Sequence, residues 1–146
     1  MPNIAGSFSG DVNSQARFSV RDEPNHELQA AEIVGVQRSP DPDWNGSRMM
    51  YWGSSDLQSG NGTQRGYFVN EHPSGDRDWG TFEGTVAITD SAATLEGTYT
   101  ETGGSGKFSG ITGDGTYRER MTSPTHVEMD WEGTYQVAGT RTAGAA

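Results

Sequence analysis

The sequence predicts an all-β fold, a single antiparallel up-and-down barrel of about eight strands. Three observations carry that prediction. Apolar and polar residues alternate over many short segments: Val127, Met129, Trp131 and Tyr135 lie opposite His126, Glu128, Asp130 and Glu132, the pattern of a strand wet on one side. Strong turn chemistry arrives about every dozen residues, at Asp22-Glu23-Pro24-Asn25, Pro40-Asp41-Pro42-Asp43, Ser59-Gly60-Asn61-Gly62, Pro73-Ser74-Gly75-Asp76, Asp90-Ser91 and Ser123-Pro124. A Gly-Thr-aromatic triplet recurs at Gly80, Gly97, Gly115 and Gly133, at the nearly fixed interval expected of neighbouring staves.

Taken in order, the segments that alternate are 5–12, 15–21, 26–37, 47–57, 63–71, 79–89, 93–101, 115–122 and 126–137. Helix is disfavoured throughout, because Gly accounts for 21 of the 146 residues, Leu for only 3, and no window carries an i, i+3, i+4, i+7 apolar stripe. Residues 1–138 are read as one domain and 139–146, which lack periodicity, as a flexible tail. Leu, Ile, Val and Phe total 20 residues, a disorder-like scarcity. Against it, Trp, Tyr and Met add 14 large side chains that fall on the same faces of alternating strands, which suits an aromatic-lined barrel.

A net charge of −10, with Lys107 the one lysine, excludes a role that neutralises nucleic-acid phosphates and disfavours anionic membrane surfaces. The absence of cysteine removes thiol catalysis, disulfides and Cys-ligated metals. No apolar run approaches the ~20 residues of a membrane span and Met1-Pro2-Asn3-Ile4 does not read as a signal segment, so a cytoplasmic protein is expected. The formal glycosylation sequons at Asn45 and Asn61 are accordingly read as turns.

The segment from Gly103 to Tyr117 is the most distinctive. A Walker loop would need glycine where Glu101 stands and Ser or Thr where Phe108 stands; a dinucleotide fingerprint would need glycine where Ser109 stands. The segment instead resembles the Gly-Gly-x-Gly-Lys-Phe-x-Gly-x-x-Gly stretch of the allene oxide cyclase and dirigent type of β-barrel, and of its small bacterial relatives, over Leu95 to Arg120. That resemblance implies a calycin-like eight-stranded barrel, often oligomeric, with an apolar lumen for a small hydrophobic molecule. Members in plants cyclise or steer reactive lipid and phenolic intermediates without a cofactor. The N-terminal half carries none of the likeness, and no catalytic residue is transferred by it.

A route to the site independent of resemblance is to find polar groups on faces that are otherwise apolar. Glu119 lies between Tyr117 and Met121, Glu101 shares a face with Leu95 and Tyr99, and Glu32 shares one with Leu28, Ala30, Val34 and Val36. A carboxyl pointed into a barrel is costly when charged, and desolvation raises its pKa toward the range useful to a general acid or base. The three glutamates, with Tyr99 to stabilise developing charge and His72 as a proton shuttle at the barrel mouth, are the catalytic candidates. Tyr51, Trp52, Phe68, Phe82, Tyr117, Met121, Met129 and Trp131 are the candidate ligand wall. In Met49-Met50-Tyr51-Trp52 large groups fall on both faces, so one pair must line a subunit contact or a pocket rim. His26, His72 and His126 have no metal-ligand spacing, and neither metal nor cofactor is expected.

Three functions fit: a cofactor-independent isomerase or cyclase of a small hydrophobic substrate, a lipocalin-like carrier of a hydrophobic ligand without chemistry, and a structural barrel whose lumen is filled by side chains. A dimer or trimer accords with the first two. A lumen with room for no more than a few waters counts against both.

Overall fold

A computed structural model describes residues 3–89 and 92–137. Eight antiparallel strands close into a barrel in sequence order: β1 (Asn3–Ser19), β2 (His26–Arg38), β3 (Arg48–Gln58), β4 (Asn61–Glu71), β5 (Arg77–Thr89), β6 (Ala92–Gly104), β7 (Thr112–Ser123) and β8 (His126–Gln136), with β1 pairing β8. Of the described residues, only a single 3-10 turn, Gly106–Phe108, is helical. No helix is long and apolar enough to cross a membrane. The tail expected at 139–146 lies outside the described residues.

The first two sequence segments, 5–12 and 15–21, are one strand. The register of β1 against β2 shifts between Val12 and Ser14. That bulge inserts one residue, Asn13, where the sequence reads as a break; it bends the strand without ending it.

The lumen is built from a repeated device. In every second hairpin, β1–β2, β3–β4, β5–β6 and β7–β8, two glycines stand directly opposite one another, Gly10 with Gly35, Gly53 with Gly66, Gly84 with Gly97 and Gly115 with Gly133. Beside each pair stand large inward side chains that are also cross-strand partners: Phe8 with Gln37, Tyr51 with Phe68, Phe82 with Tyr99, and Tyr117 with Trp131. The rings lie down on the glycines. A Cβ on Gly66 would come 2.7 Å from Phe82 Cζ, one on Gly115 2.5 Å from Tyr99 Cε2, and one on Gly84 2.6 Å from Tyr117 Oη. Glycine is therefore required by close approach, and the covering ring restores the apolar contact that a bare strand lacks. Replacing Gly115 with alanine is expected to lower stability by about 2 kcal/mol through overpacking, whereas alanine at the outward neighbour Thr116 should change it by less than about 0.5 kcal/mol; thermal unfolding compares the two.

The rings meet edge to face in two tiers. Phe8, Tyr51, Phe82 and Tyr117, all from odd-numbered strands, follow one another at 5.7, 5.7 and 5.9 Å between centroids. Phe68, Tyr99 and Trp131, from even-numbered strands, follow at 6.0 and 6.3 Å. Such arrangements favour each aromatic pair by about 1 kcal/mol beyond simple burial, and together they form the middle of the core.

Each end of the barrel is plugged. At the end formed by the β2–β3, β4–β5 and β6–β7 connections, Trp44, Phe108 and Ile111 are buried, and Trp44 packs edge-on to Phe108 at 5.2 Å. The glycine-rich segment that stood out in sequence thus folds as part of a cap, held to the β2–β3 connection by Lys107 Nζ on Asp43 Oδ1 at 2.5 Å. At the opposite end Leu57, Val86 and Leu95 form a second buried cluster, with Met121 against it.

The orientation expected for β2 is reversed. Ala31, Ile33, Gly35 and Gln37 face the lumen, while Leu28 and Val36 are exposed on the outer wall. The outer wall carries an apolar row in register across four strands, Val34, Met50, Val69 and Trp79. In the Met49–Trp52 run, therefore, Met49 and Tyr51 point inward and Met50 and Trp52 outward.

Candidate functional site

The lumen retains a cavity of about 60 Å³, room for only a few waters. Glu119, Glu101, Tyr99, Tyr51, Phe68, Phe82, Tyr117, Met129 and Trp131, all of them candidates from sequence, line it. Four other candidates lie elsewhere. Met121 packs between the main core and the Leu57 cluster without lining the cavity. Glu32 and Trp52 are on the outer wall, where Glu32 accepts from Trp52 Nε1 at 2.7 Å and from Asn13 Nδ2 at 2.6 Å. These bonds hold the Glu32 carboxyl below the usual carboxylate range, the Asn13 bond contributing most. The parity argument failed there because β2 is apolar on both faces, and the bulge residue Asn13 supplies the outer partner. His72 is not at an open mouth either; it is buried beneath the cap, stacked on Phe108 at 4.2 Å.

Glu119 is the candidate the structure isolates most completely. It stands on β7 one step beyond the aromatic tiers, directly opposite Leu95, and is 4 % exposed. Its partner is Tyr51, whose hydroxyl donates to Oε1 at 2.5 Å. Burial disfavours the charged carboxylate and the Tyr51 bond favours it; burial prevails, and the Glu119 pKa is pushed up to about 7. Tyr51 is driven well above its ordinary value by burial and by the adjacent carboxylate, so it remains a donor. Beside it, Tyr117 Oη accepts from Gln64 Nε2 at 2.8 Å, which leaves the Tyr117 proton free to donate. Burial raises the Tyr117 pKa to about 12, so the hydroxyl stays protonated near neutrality.

Glu101 faces the other end of the same lumen. It stands six residues further along β6 than Leu95, the partner of Glu119, hence about 20 Å away along the strand. The two carboxyls therefore serve different places. Around Glu101 lies a polar layer that sequence reasoning missed. Trp131 Nε1 donates to Gln37 Oε1 at 2.8 Å, Gln37 Nε2 to Asn70 Oδ1 at 3.2 Å, and Asn70 Nδ2 to Asp78 Oδ2 at 3.2 Å. Asp78 Oδ1 then meets His72 Nε2 at 2.5 Å. Gln37, Asn70, His72 and Asp78 are all buried. Alternation could have flagged Asn70 and Asp78 as inward; Gln37 was hidden by the misread face of β2.

Ser47, His72 and Asp78 form a string reminiscent of a hydrolytic triad, with Ser47 Oγ 2.9 Å from His72 Nδ1. The local chemistry denies that role. Nδ1 is also 2.8 Å from the Asp43 carbonyl, which can only accept, so Nδ1 carries a proton and cannot take one from the serine. Ser47 donates to that same carbonyl and is 0 % exposed, so no substrate reaches it.

The remaining histidines are on the surface. His26 lies between Asp22 and Asp56, and His126 between Asp11 and Glu128, all at 2.6 to 2.8 Å. The carboxylate bonds raise both histidine pKa values, chiefly those of Asp22 and Asp11. Among the described residues no cluster of His, Cys, Asp and Glu could hold a metal ion.

Comparison with known proteins finds no matching family model, curated protein or solved structure.

Proposed function

We propose that the protein is a small-molecule barrel enzyme, a cofactor-independent isomerase or cyclase that binds a small hydrophobic substrate in the lumen and uses Glu119 as its acid/base. The observation that carries this reading is a carboxyl buried in an aromatic chamber with its pKa near 7. A barrel needing only a filled core gains nothing from such a group, whose burial costs stability, whereas a proton-transfer catalyst needs a pKa close to its working pH. In the proposed step, ionised Glu119 takes a proton from one carbon of the substrate and returns it to another. The Tyr117 hydroxyl donates to the oxygen on which charge develops, and the edge-to-face rings fix the conformer that reacts.

The cavity sets the scale of the substrate. At about 60 Å³ it is smaller than the ~150 Å³ chamber that admits benzene, so any substrate beyond a few heavy atoms must displace Met49 and Met129. Both line the chamber, and both are unbranched and adaptable. The same small volume favours a second reading, a filled barrel with a structural or assembly role.

Butanone in deuterated water discriminates between them. The wild-type protein is expected to speed exchange of the protons next to the carbonyl, and Glu119→Gln to lower that rate at least a hundredfold. Equal rates in both proteins would remove Glu119 from the chemistry. A protein that neither exchanges butanone nor retains a small molecule in native mass spectrometry is the filled barrel.

A further inference from the structure

The outer wall has two characters. On β7 and β8 the outward positions from Asp114 to Arg120 and from Glu128 to Thr134 hold only Thr, Asp, Glu and Arg, as a face in water requires. On β3 and β4, in contrast, two cross-strand pairs stand outward on adjacent rows, Met50 with Val69 and Trp52 with Tyr67. Val34 and Trp79 extend the Met50 row onto β2 and β5. Tyr67 is 66 % exposed and the others are half-buried. Met and aromatic side chains gathered on one part of the surface are the composition of an interface centre. The Trp52 ring is already fixed by its Nε1 bond to Glu32, so a contact made there orders little that is not ordered beforehand.

The charges around these rows point to what covers them. The chain carries a net charge of −10, so two copies repel on most approaches. This face is balanced instead, with Arg48, Arg65 and Arg77 standing among Glu32, Glu71 and Glu83. Arg48 and Glu71 are cross-strand partners on the row next to Met50 and Val69, and their side chains lie 3.3 Å apart. A two-fold axis running along the strands between β3 and β4 sets each of these residues over its own cross-strand partner in a second copy. Met50 then meets Val69 of the second copy, Trp52 meets Tyr67, and Arg48 meets Glu71, each contact being made twice. A strongly acidic or basic partner finds no net charge here to pair with, whereas a second copy presents the same residues in complementary order.

We propose that the outer face of β3 and β4 is a self-complementary surface through which two copies of this chain pair about that axis. The wall of an eight-stranded barrel curves away on both sides, so close contact is centred on β3 and β4, with Val34 and Trp79 closing its flanks. A patch four strands wide, at about 4.8 Å each, and three rows deep, at about 7 Å each, covers about 400 Å². Two copies therefore bury about 800 Å², in the range of weak, transient complexes. The pair is reversible and concentration-dependent, not obligate. It leaves the Glu119 chamber enclosed within each barrel and does not depend on Glu119 being catalytic.

Sedimentation velocity of the wild-type protein from about 1 μM to about 1 mM tests the proposal, and a monomer–dimer equilibrium with a Kd of about 100 μM is expected. Arg48→Glu sets carboxylates against each other across the axis and Glu71→Arg sets guanidinium groups so; each alone should weaken pairing at least tenfold. An equimolar mixture of these two variants should pair again to within a few-fold of wild type. That result separates contact between copies from the Arg48–Glu71 pair within one chain, which both variants lack. Thr116→Glu on β7 should leave the equilibrium unchanged. A wild-type protein that stays monomeric up to about 1 mM would show that a second copy is not what covers this face. A trimer or larger species would exclude the two-fold axis, and a mixture no better associated than either variant would exclude the Arg48–Glu71 register.

Discussion

Replacing Asp78 with alanine is expected to destabilise the fold by about 3–5 kcal/mol, because at least two buried donors are left without an acceptor at about 1–3 kcal/mol each. Asp78 is 0 % exposed and receives His72, Asn70 and Glu101 together. Without it, His72 and Asn70 each lose an acceptor beneath a cap that excludes water. The Asp78→Asn variant keeps an oxygen for His72 and should lose distinctly less. Urea unfolding at neutral pH measures both; an alanine variant within about 1 kcal/mol of wild type would mean that the polar layer does not support the cap.

The second large effect concerns Glu119 and pH. A free glutamate titrates at 4.5 and the buried one at about 7, so between these values the folded protein holds a proton that the unfolded chain has released. Stability therefore falls as pH rises from about 4.5 to about 7 and is flat in this group's contribution above that. The gap corresponds to about 3 kcal/mol. Glu119→Gln, which is always neutral and still offers Tyr51 an oxygen, is expected to be more stable than wild type at pH 8 by up to that amount and to converge with it near pH 4. The variant proposed to lose proton transfer is thus expected to gain stability, the signature of a group retained against the interest of the fold.

Much of the architecture was legible because a strand writes its faces with period two. The antiparallel meander follows from alternation and turn chemistry, which read nine segments where eight strands form, and the inward placement of Glu119, Glu101, Tyr99 and Tyr117 follows from alternation. Alternation fails where both faces are apolar. In β2 the outward Leu28, Val34 and Val36, of which Leu28 and Val36 are exposed and Val34 half-buried, read as core, which placed Glu32 on the wrong side and concealed Gln37. The bulge at Asn13 split one strand into two for a related reason, since an inserted residue resets the period without stopping the ladder. The Gly-Thr-aromatic triplet was visible, but its cause was not. Only the pairing of strands shows that each glycine faces another, and that their missing side chains make room for rings. Asn70, His72 and Asp78 do meet locally, in the β4–β5 hairpin where Asn70 and Asp78 are cross-strand partners, but Ser47 and Gln37 join them from the other side of the cap only through the tertiary fold.

The account rests on Glu119 being a buried carboxyl that takes up its proton near neutrality. The direct measurement is the pH titration of its side-chain carboxyl carbon by NMR, assigned by the loss of that signal in Glu119→Gln. A midpoint near 7, with Tyr51 protonated throughout, is the expected result. A midpoint near the 4.5 of a free glutamate would show the lumen to be wetter than the geometry allows and would contradict the proposed acid/base.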